Sequence, residues 1–442
     1  MSKNKMTTVE KSILEQSEKI DKVKRLVKKK VKDAECADIL EQEGLSSENW
    51  KEKNFSALKN TVRLGTVFSG IGAIEHAFQR LKLKHKIVFA GDIDSNCKKS
   101  YFANYDIAEE NWFSDVRDFD ASKYRGKVDF IVGGAPCQAF SMVGKRLGFE
   151  DARGTLFYEF ARIIKETEPK VFLFENVKGI LNHDNGKTWH VIYDIFCELG
   201  YDVHFRVLNS KDYGIPQNRE RIFCLGFKQK TVFKFPAPVE LEYRMYDFLE
   251  DYVDTKYFLK EKGVKFVTCS KNKIKHYTQV NGEIALCQKR NQQFNWHGDF
   301  IYHPVAINEE YEEGFDEFIF DVNEVEEKYY LSEKVAKYVL AGGTKNFRTS
   351  TQTDLDIARP LLQTMHKMHR AGVDNYVTHK GRIRKLTPRE CLRLMGFKDS
   401  FNIVVSDTSL YQESGNSIVV DVLIAILKQM DITQYGVNSD DN

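Results

Sequence analysis

The chain has 442 residues and a formal net charge of +2, and 42% of its residues are hydrophobic and 29% charged. This length allows two or three domains with a sizeable core. No window approaches the about 18 to 20 apolar residues of a membrane span, and the first 30 residues are too polar for a signal peptide, so we expect a cytoplasmic protein.

The eight cysteines are scattered along the chain, and the closest pair lies 18 positions apart. The sequence contains no CxxC motif and no Cys/His cluster with the spacing of zinc ligands. It therefore predicts neither a metal site nor a disulfide framework.

Charge is segregated into blocks. Residues 22–32 carry seven Lys or Arg and no acid, residues 306–327 carry ten acids and no Lys or Arg, and residues 341–385 carry nine Lys or Arg and three Asp. A nearly neutral chain with such blocks can present one basic face to a polyanion. The first block lies in a Lys/Glu-rich helical extension, residues 1–60, which either grips phosphates non-specifically or is a solvated helix face.

Between residues 61 and 228, apolar runs such as "KIVFAGDI" and "VFLFEN" alternate with amphipathic helical stretches. Strands that are apolar throughout and separated by helices predict an α/β domain with a doubly wound, mostly parallel sheet, which binds ligands at the carboxyl ends of its strands. Residues 229–382 lose this rhythm and are predicted to form a smaller, irregular α+β domain. Helices in residues 383–434 are expected to return to the first domain.

The stretch "FSGIG", residues 68–72, separates the first predicted strand from its helix. Gly70 and Gly72 would let backbone N–H groups approach a ligand, and Asp92 ends the second strand where a carboxylate can hold ribose hydroxyls. The alternative is a tight turn and a helix cap. Without the three-glycine spacing of a pyrophosphate site, the turn favours a nucleoside such as S-adenosylmethionine. Asp115 either accepts a hydrogen bond from the adenine amino group or lies in a surface turn.

Cys137, in "GGAPCQAFS", directly follows the fourth apolar run. Its place at the end of a strand favours a nucleophile over a buried filler. Lys145 and Arg146, in the loop that follows, would favour the reactive thiolate.

Two further motifs place ionisable groups at strand ends. In "FLFENV", Glu175 and Asn176 lie at the end of the fifth predicted strand. Burial there would raise the pKa of Glu175, which suits a proton donor, although Glu175 could instead cap the next turn. In "QNRER", Gln217, Arg219 and Arg221 alternate, which would aim all three at one face of the sheet unless they belong to a solvated edge strand.

The order of FSGIG, GDID, PCQAFS, ENV, QNRER, RKLTPRECLRLMGF and GNS resembles that of the cytosine C5 DNA methyltransferase family over roughly residues 63–228 and 383–430. The resemblance implies an S-adenosylmethionine-dependent methyltransferase fold in which residues 229–382 recognise the target. It implies Cys137 as the nucleophile, Glu175 as the acid at cytosine N3, and Arg219 and Arg221 at cytosine O2. Its cofactor residues are Phe68, Gly70, Gly72, Asp92, Ile93, Asp115, Val116, Pro136, Leu156, Asn416 and Ser417. Ile93 departs from the large aromatic residue often found at that position.

The implied partner is double-stranded DNA, and the enzyme is expected to be a monomer. A companion restriction endonuclease is the common setting of such an enzyme, but the sequence does not say whether one exists, and no stable complex with one is implied. Within the basic block, "RPLLQTMHKMHRAG" mixes side chains that suit base edges, although many of its charges could only position the duplex. The predicted DNA-contacting residues are Lys145, Arg146, Arg359, Gln363, Thr364, His366, Lys367, His369 and Arg370. Alternative functions are a tRNA cytosine-5 methyltransferase, a catalytically silent DNA-binding homologue and a different cysteine enzyme on a nucleoside-binding fold.

Overall fold

The structure is a computed structural model. It describes residues 44–135, 156–248, 353–361, 375–379 and 382–438, with Leu40, Glu250, Leu331 and four short strands between residues 278 and 348. These residues form two compact units. The first comprises the described residues up to Leu208, Glu220–Glu240 and those from Val422, and the second comprises Asn209–Arg219 and Leu241–Asp421.

The first unit is built on a seven-stranded sheet with the order β3-β2-β1-β4-β5-β7-β6. Pairs from β3 through β5 are parallel, whereas β7 runs antiparallel to β5. The predicted mostly parallel α/β sheet is confirmed. Its strands are β1 (Val62–Val67), β2 (His85–Gly91), β3 (Trp112–Phe113), β4 (Phe130–Gly133), β5 (Val171–Val177), β6 (Asp202–Asn209) and β7 (Glu220–Phe227).

Amphipathic helices cover the sheet because their apolar residues recur at helical spacing. The third helix, for example, buries Phe157, Phe160, Ala161, Ile163 and Ile164. These side chains join one core cluster with Phe172 and Phe174 of β5. Within the described residues the helices are α1 (Ala73–Arg80), α2 (Ser95–Asn104), α3 (Leu156–Thr167), α4 (Lys187–Glu198), α5 (Pro388–Arg393), α6 (Asp407–Asn416) and α7 (Val420–Gln429).

Short 3₁₀ helices supply several of the connections. They span Trp50–Glu52, Glu109–Asn111, Val116–Asp118, Ser122–Tyr124, Lys178–Gly186, Ser210–Tyr213, Met245–Phe248 and Ile432–Tyr435.

A buried carboxylate lies at the amino ends of the central strands. Asp129 is fully buried, and its Oδ1 lies 2.8 Å from Nη2 of Arg63 and 3.0 Å from Nζ of Lys170. Burial alone would raise the pKa of Asp129, but the hydrogen bonds from Arg63 and Lys170 outweigh it and hold that pKa below its ordinary value. This cluster links β1, β4 and β5 at their amino ends. The carboxyl ends of these strands, where ligands are expected, lie at the opposite edge of the sheet.

In the second unit, the sequence "TPRE" at the start of α5 has the residues of a capping box. The Thr387 hydroxyl accepts a hydrogen bond from the N–H of Glu390, and the Glu390 carboxylate accepts one from the N–H of Thr387. Pro388 occupies the first helical position, where its missing N–H costs nothing. The remaining strands are β8 (Thr278–Val280), β9 (Gly298–Phe300), β10 (Gly343–Thr344), β11 (Phe347–Arg348), β12 (Tyr376–His379) and β13 (Arg382–Lys385).

Residues 44–60, here called the N-terminal strap, are part of the first unit. The Trp50 indole N–H donates to the carbonyl of Ala237 (3.2 Å), and Nζ of Lys53 donates to the carbonyl of Gln429 (3.3 Å). The backbone N–H of Ser56 donates to Asp431 (3.0 Å). The strap therefore binds the carboxyl-terminal segment, whereas the basic block at residues 22–32 lies outside the described residues.

The units divide the chain differently from the four segments predicted from sequence (1–60, 61–228, 229–382 and 383–434). Residues 383–421 belong to the second unit. The stretch Asp407–Gln429 is long and apolar enough to span a membrane, but 78% of its most apolar window is buried in the protein, which is typical of core helices.

Candidate active site

The glycine turn, Phe68–Gly72, connects β1 to α1. Phe68, Gly70 and Gly72 all have left-handed backbone conformations, with φ of 57°, 53° and 76°. A phenylalanine in the left-handed region of backbone conformations is uncommon, because it costs free energy. Residues with such strained backbones are found most often at functional sites. At Gly72 an added Cβ would lie 2.2 Å from the ring of Tyr105, which leaves room only for glycine.

Ser69 fastens this turn to the end of β2. Its N–H donates to the carbonyl of Gly91 (2.9 Å), and its hydroxyl accepts from the N–H of Gly91 (2.9 Å). The hydroxyl of Thr66 also lies 2.8 Å from that of Ser69. These contacts hold the glycine turn beside Asp92, the residue that follows β2.

Asp92 is bound from two sides by backbone. Its Oδ2 accepts from the N–H of Gly70 and its Oδ1 from the N–H of Asp94, each at 3.0 Å. Burial raises the pKa of Asp92, and these hydrogen bonds oppose the rise. A carboxylate has about four lone-pair sites, so Asp92 can still accept from two hydroxyls. Ile93, the next residue, is 74% exposed and offers an apolar surface beside this carboxylate.

Asp115 follows β3 and caps the 3₁₀ helix Val116–Asp118. Its carboxylate accepts from Nε of Arg117 (2.9 Å) and from Nη2 of Arg117 (2.5 Å). The side-chain hydrogen bond from Arg117 lowers the pKa of Asp115. Asp115 is thus held as a carboxylate. Arg117 was not among the residues expected at the site, although "DVR" places it two residues after Asp115.

The other two described cofactor candidates of the first unit lie against its core. Val116 is buried within the core cluster. Leu156, the first residue of α3, is half-buried and packs against the same cluster.

Glu175 lies at the carboxyl end of β5, next to the end of β4. The register pairs Gly133 with Phe174, which puts Glu175 level with Gly134. A Cβ added to Gly134 would lie 2.9 Å from Oε2 of Glu175, so that backbone passes directly over the carboxylate. Glu175 is only 9% exposed.

Asn176, the following residue, fixes the chain that leads towards Cys137. Its Nδ2 donates to the carbonyl of Ala135 (2.9 Å), and both residues are buried. The position of the chain relative to β5 is therefore set as far as Ala135. Pro136 and Cys137 lie immediately beyond, outside the described residues.

Arg221 meets Glu175 because of the antiparallel register of β5 and β7. Glu175 is opposite Phe223 and Val177 is opposite Arg221, so Glu175 and Arg221 are diagonal neighbours on one face. Nε of Arg221 lies 3.2 Å from Oε1 of Glu175. Both side chains remain partly accessible, at 21% and 12%, as a pair that contacts a substrate must.

Arg219 occupies a different environment, which corrects the expectation that all three residues of the alternation share one face of the sheet. Strand β7 begins only at Glu220, and Gln217 forms an isolated bridge with Ala358. Arg219 is buried, and its Nη2 donates to the carbonyls of Gly415 and Ser417, each at 2.9 Å.

Asn416 and Ser417, predicted to contact the cofactor, belong to the second unit. Asn416 ends α6, and Ser417 caps it and is 8% exposed. Arg219 of the same unit holds the carbonyls on either side of Asn416. Their roles towards a cofactor stay predictions.

A family comparison gives these strand-end residues their context. The family model of the C-5 cytosine-specific DNA methylases matches residues 62–431. The chain belongs to this family. It is a DNA cytosine-5-methyltransferase, and enzymes of this family use a methyl-donor cofactor.

Curated relatives agree with this assignment. The orphan methyltransferase M.SPRI of Bacillus phage SPR is 32% identical over 84% of this chain and 97% of its own length. The type II methyltransferase M.HpaII of Haemophilus parainfluenzae is also 32% identical, over 90% of this chain and 98% of its own. The predicted family is confirmed.

Solved structures agree on the fold. Dnmt2 of S. pombe matches with a TM-score of 0.53 and 16% identity, covering 83% of this chain and 97% of that chain. The Entamoeba histolytica methyltransferase EhMeth matches with a TM-score of 0.54 and 15% identity, covering 84% and 98%. At such low identity these likenesses speak for the fold alone, and they confirm the predicted methyltransferase fold.

Among the DNA-contacting candidates of this methyltransferase, Arg359 is the one that lies within the described residues. It is fully buried, its N–H donates to Oδ1 of Asn375 (2.7 Å), and its carbonyl accepts from Nδ2 of Asn375 (3.1 Å). Its side chain is therefore not exposed in this structure, and its DNA-contacting role stays a prediction. Its charge in the sequence did not reveal that it belongs to the core of the second unit.

The remaining DNA-contacting candidates lie outside the described residues: Lys145, Arg146, Gln363, Thr364, His366, Lys367, His369 and Arg370. Within the part of the chain that is described, no group of three or more His, Cys, Asp or Glu residues could hold a metal ion.

Proposed function

We propose that this methyltransferase transfers a methyl group from S-adenosylmethionine to C5 of a cytosine that is flipped out of a specific duplex sequence, through a covalent bond between Cys137 and C6. One observation carries the proposal. Glu175, paired with Arg221, lies directly beneath Gly134, and Asn176 fixes Ala135, two residues before Cys137. An acid, a cation and the approach to a thiol therefore converge at the ligand edge of a parallel sheet.

The chemistry requires this set because C5 of cytosine is a poor nucleophile. Attack of the Cys137 thiolate forms an S–C6 bond and moves the electron pair of the C5–C6 double bond towards N3 and O2. Glu175 would donate a proton at N3, and the Arg221 guanidinium would stabilise the charge near O2. C5 then has the electron density of an enamine. After methyl transfer, loss of the C5 proton to water would re-form the C5–C6 double bond and expel the thiolate, and N3 would return its proton to Glu175.

The glycine turn fits a nucleoside methyl donor. Asp92 keeps lone pairs for two ribose hydroxyls, and the exposed Ile93 beside it could cover one face of an adenine. Asp115, held as a carboxylate by Arg117, could accept from the adenine amino group. S-adenosylmethionine would supply an electrophilic methyl group at this edge.

The target base must leave the duplex, because C6 is inaccessible within stacked bases. Lys145 and Arg146, in the segment after Cys137, are proposed to contact DNA while the base is held. Sequence reading is proposed for residues 363–370, where Arg and Lys suit guanine and Gln suits adenine.

A trapping experiment tests the covalent step. Duplex DNA containing 5-fluorocytosine should trap the wild-type protein, with S-adenosylmethionine, as an adduct that resists denaturant, because fluorine cannot leave as a cation. Cys137→Ser should form no adduct and should retain binding of DNA. Cys197→Ser is the matched control, because Cys197 is an exposed thiol on α4. Methylation by Cys137→Ser at the wild-type rate would exclude the proposal.

The tRNA-methylating alternative is weaker. The likeness to Dnmt2 is at 16% identity, whereas relatives above 30% identity are type II and orphan methyltransferases. Methylation of duplex DNA and of unmodified tRNA in parallel separates the two functions. We also infer that the protein is a cytoplasmic monomer, and size-exclusion chromatography would test its oligomeric state.

A further inference from the structure

Two side chains, Asp92 and Tyr105, hold the glycine turn by hydrogen bonds. The N–H of Gly70 donates to Asp92 at 3.0 Å. The hydroxyl of Tyr105 lies 3.1 Å from the carbonyl of Ile71 and 2.8 Å from that of Gly72, so its single proton is shared between them. Tyr105 is 6% exposed, and these carbonyls meet its hydroxyl inside the protein.

The ring of Tyr105 adds a steric constraint to this hydrogen bond. It fills the space that a side chain at position 72 would need, since a Cβ added there would lie 2.2 Å from the ring. It also packs against Tyr101, with ring centroids 4.9 Å apart, and Tyr101 donates to Glu75 of α1. The ring of Tyr105, packed against Tyr101, therefore limits the conformations that the turn can adopt.

Asp92 and Tyr105 lie on either side of one helix, α2. Helix α2 is capped at its start by Asp94, whose N–H donates to Asp92, and Tyr105 directly follows its end. Asp92 and Tyr105, which flank this one helix, thus bind the glycine turn at Gly70 and at Ile71–Gly72. A change at Tyr105 would alter the turn without touching any group that faces the ligand.

We propose that Tyr105 is a positioning residue for the cofactor: its hydroxyl binds the carbonyls of Ile71 and Gly72 and so holds Gly72 in the left-handed conformation that shapes the nucleoside site. This inference rests on the proposed binding of S-adenosylmethionine at the glycine turn. Left-handed residues persist only where their surroundings over-determine them. Without the hydroxyl, the turn would populate other conformations, and cofactor binding would have to restore the productive one.

The substitution Tyr105→Phe tests the inference, because it removes the hydroxyl and keeps the ring. Isothermal titration of the full-length protein with S-adenosylmethionine and S-adenosylhomocysteine should show Kd values raised about three- to tenfold, the range expected for one buried hydrogen bond. The KM for the cofactor should rise by a similar factor, while kcat at saturating cofactor and the KM for DNA stay within about twofold.

Tyr201→Phe is the matched control. Tyr201 is 5% exposed, and its hydroxyl also donates to a backbone carbonyl, that of Pro169 at 2.8 Å. This control should lower stability comparably and leave the cofactor Kd unchanged. All titrations are made at a temperature where circular dichroism shows each variant folded, so that a loss of fold is not read as a loss of affinity.

Equal Kd values for wild type and Tyr105→Phe would overturn the inference, as would equal weakening by Tyr105→Phe and Tyr201→Phe. A wild-type protein that binds neither nucleoside would instead overturn the proposed cofactor site itself. The two failures are therefore distinguishable.

Discussion

The hydroxyl of Tyr101 donates a 2.5 Å hydrogen bond to Oε1 of Glu75, and both side chains are completely buried beneath the glycine turn. Burial raises the pKa of Glu75 to about 7, and the hydrogen bond from Tyr101 opposes the rise. The protein therefore carries, inside its core, a carboxyl that changes charge near neutral pH.

This relationship predicts how stability depends on pH. The unfolded carboxyl loses its proton near its ordinary value of 4.5, whereas the folded one keeps it to about 7. Between these values the unfolded state binds fewer protons, so the free energy of unfolding falls as the pH rises and then levels off. The contribution is on the order of 3 kcal/mol. Glu75→Gln should flatten this dependence in urea unfolding at pH 5 and pH 8, whereas Glu198→Gln, an exposed control, should not. Identical slopes for Glu75→Gln and wild type would contradict the prediction.

Removal of the acid should impair chemistry more than binding. Glu175→Gln keeps the shape of the side chain but cannot donate a proton in the same way, so single-turnover methylation should slow by about 10²- to 10⁴-fold. The Kd for S-adenosylmethionine should not change. Lys178→Gln, which breaks a partly exposed ion pair with Glu220, is the control and should cost less than tenfold. A Glu175→Gln enzyme at near wild-type rate would remove Glu175 from the mechanism.

The carboxylate at the amino ends of the strands should matter for stability alone. Asp129→Ala leaves Arg63 and Lys170 without their shared partner and should lower the free energy of unfolding by about 3 kcal/mol or more. Since the folded pKa of Asp129 is depressed, its contribution is present above the ordinary value of 3.8 and is lost as the pH falls below it. Urea titrations at pH 7 measure the cost. Glu168→Ala, which removes an exposed ion pair with Arg125, should change stability by less than about 1 kcal/mol.

Two truncations should separate stability from DNA affinity. Deleting residues 1–39 removes the basic block and keeps the N-terminal strap, so thermal stability should hold while the salt dependence of DNA binding becomes shallower. Deleting residues 1–60 also removes Trp50 and the hydrogen bonds to Gln429 and Asp431, and should lower the melting temperature. Melting curves and binding at several salt concentrations measure both effects. An unchanged salt slope after the shorter deletion would leave the basic block without a role in DNA affinity.

Alanine substitutions in residues 341–385 should distinguish an arginine that stabilises the fold from side chains that contact bases. Arg359→Ala should destabilise the protein and weaken methylation of all sequences alike, because the side chain is buried. Gln363→Ala, Lys367→Ala and Arg370→Ala should relax discrimination by about 1–3 kcal/mol at individual base pairs. Methylation of the cognate site and of its single-base variants measures each change. Uniform losses at every position would place sequence reading elsewhere in residues 229–382.

The sequence by itself determined the class of fold and the family. An apolar run such as Val171–Phe174 must be buried on both faces, so its strand belongs inside a covered sheet. The order of the motifs identified the family, and Glu175 could be placed at a strand end because charge follows the apolar run directly. The start of α5 could also be read from the sequence, because its capping residues, Thr387 and Glu390, are only three positions apart.

The tertiary structure alone decided which charged residues meet. Glu175 and Arg221 are 46 positions apart in sequence and meet through the register of the antiparallel β5–β7 pair, in a sheet where β7 lies between β5 and β6. Arg219 and Arg359 carry the same charge as Arg221 but are buried in the second unit. Periodicity reports which face of an element is apolar, whereas register and the burial of a single arginine depend on distant residues. The contact of Tyr105 with Gly72 is of the same kind, since nothing local to either residue announces it.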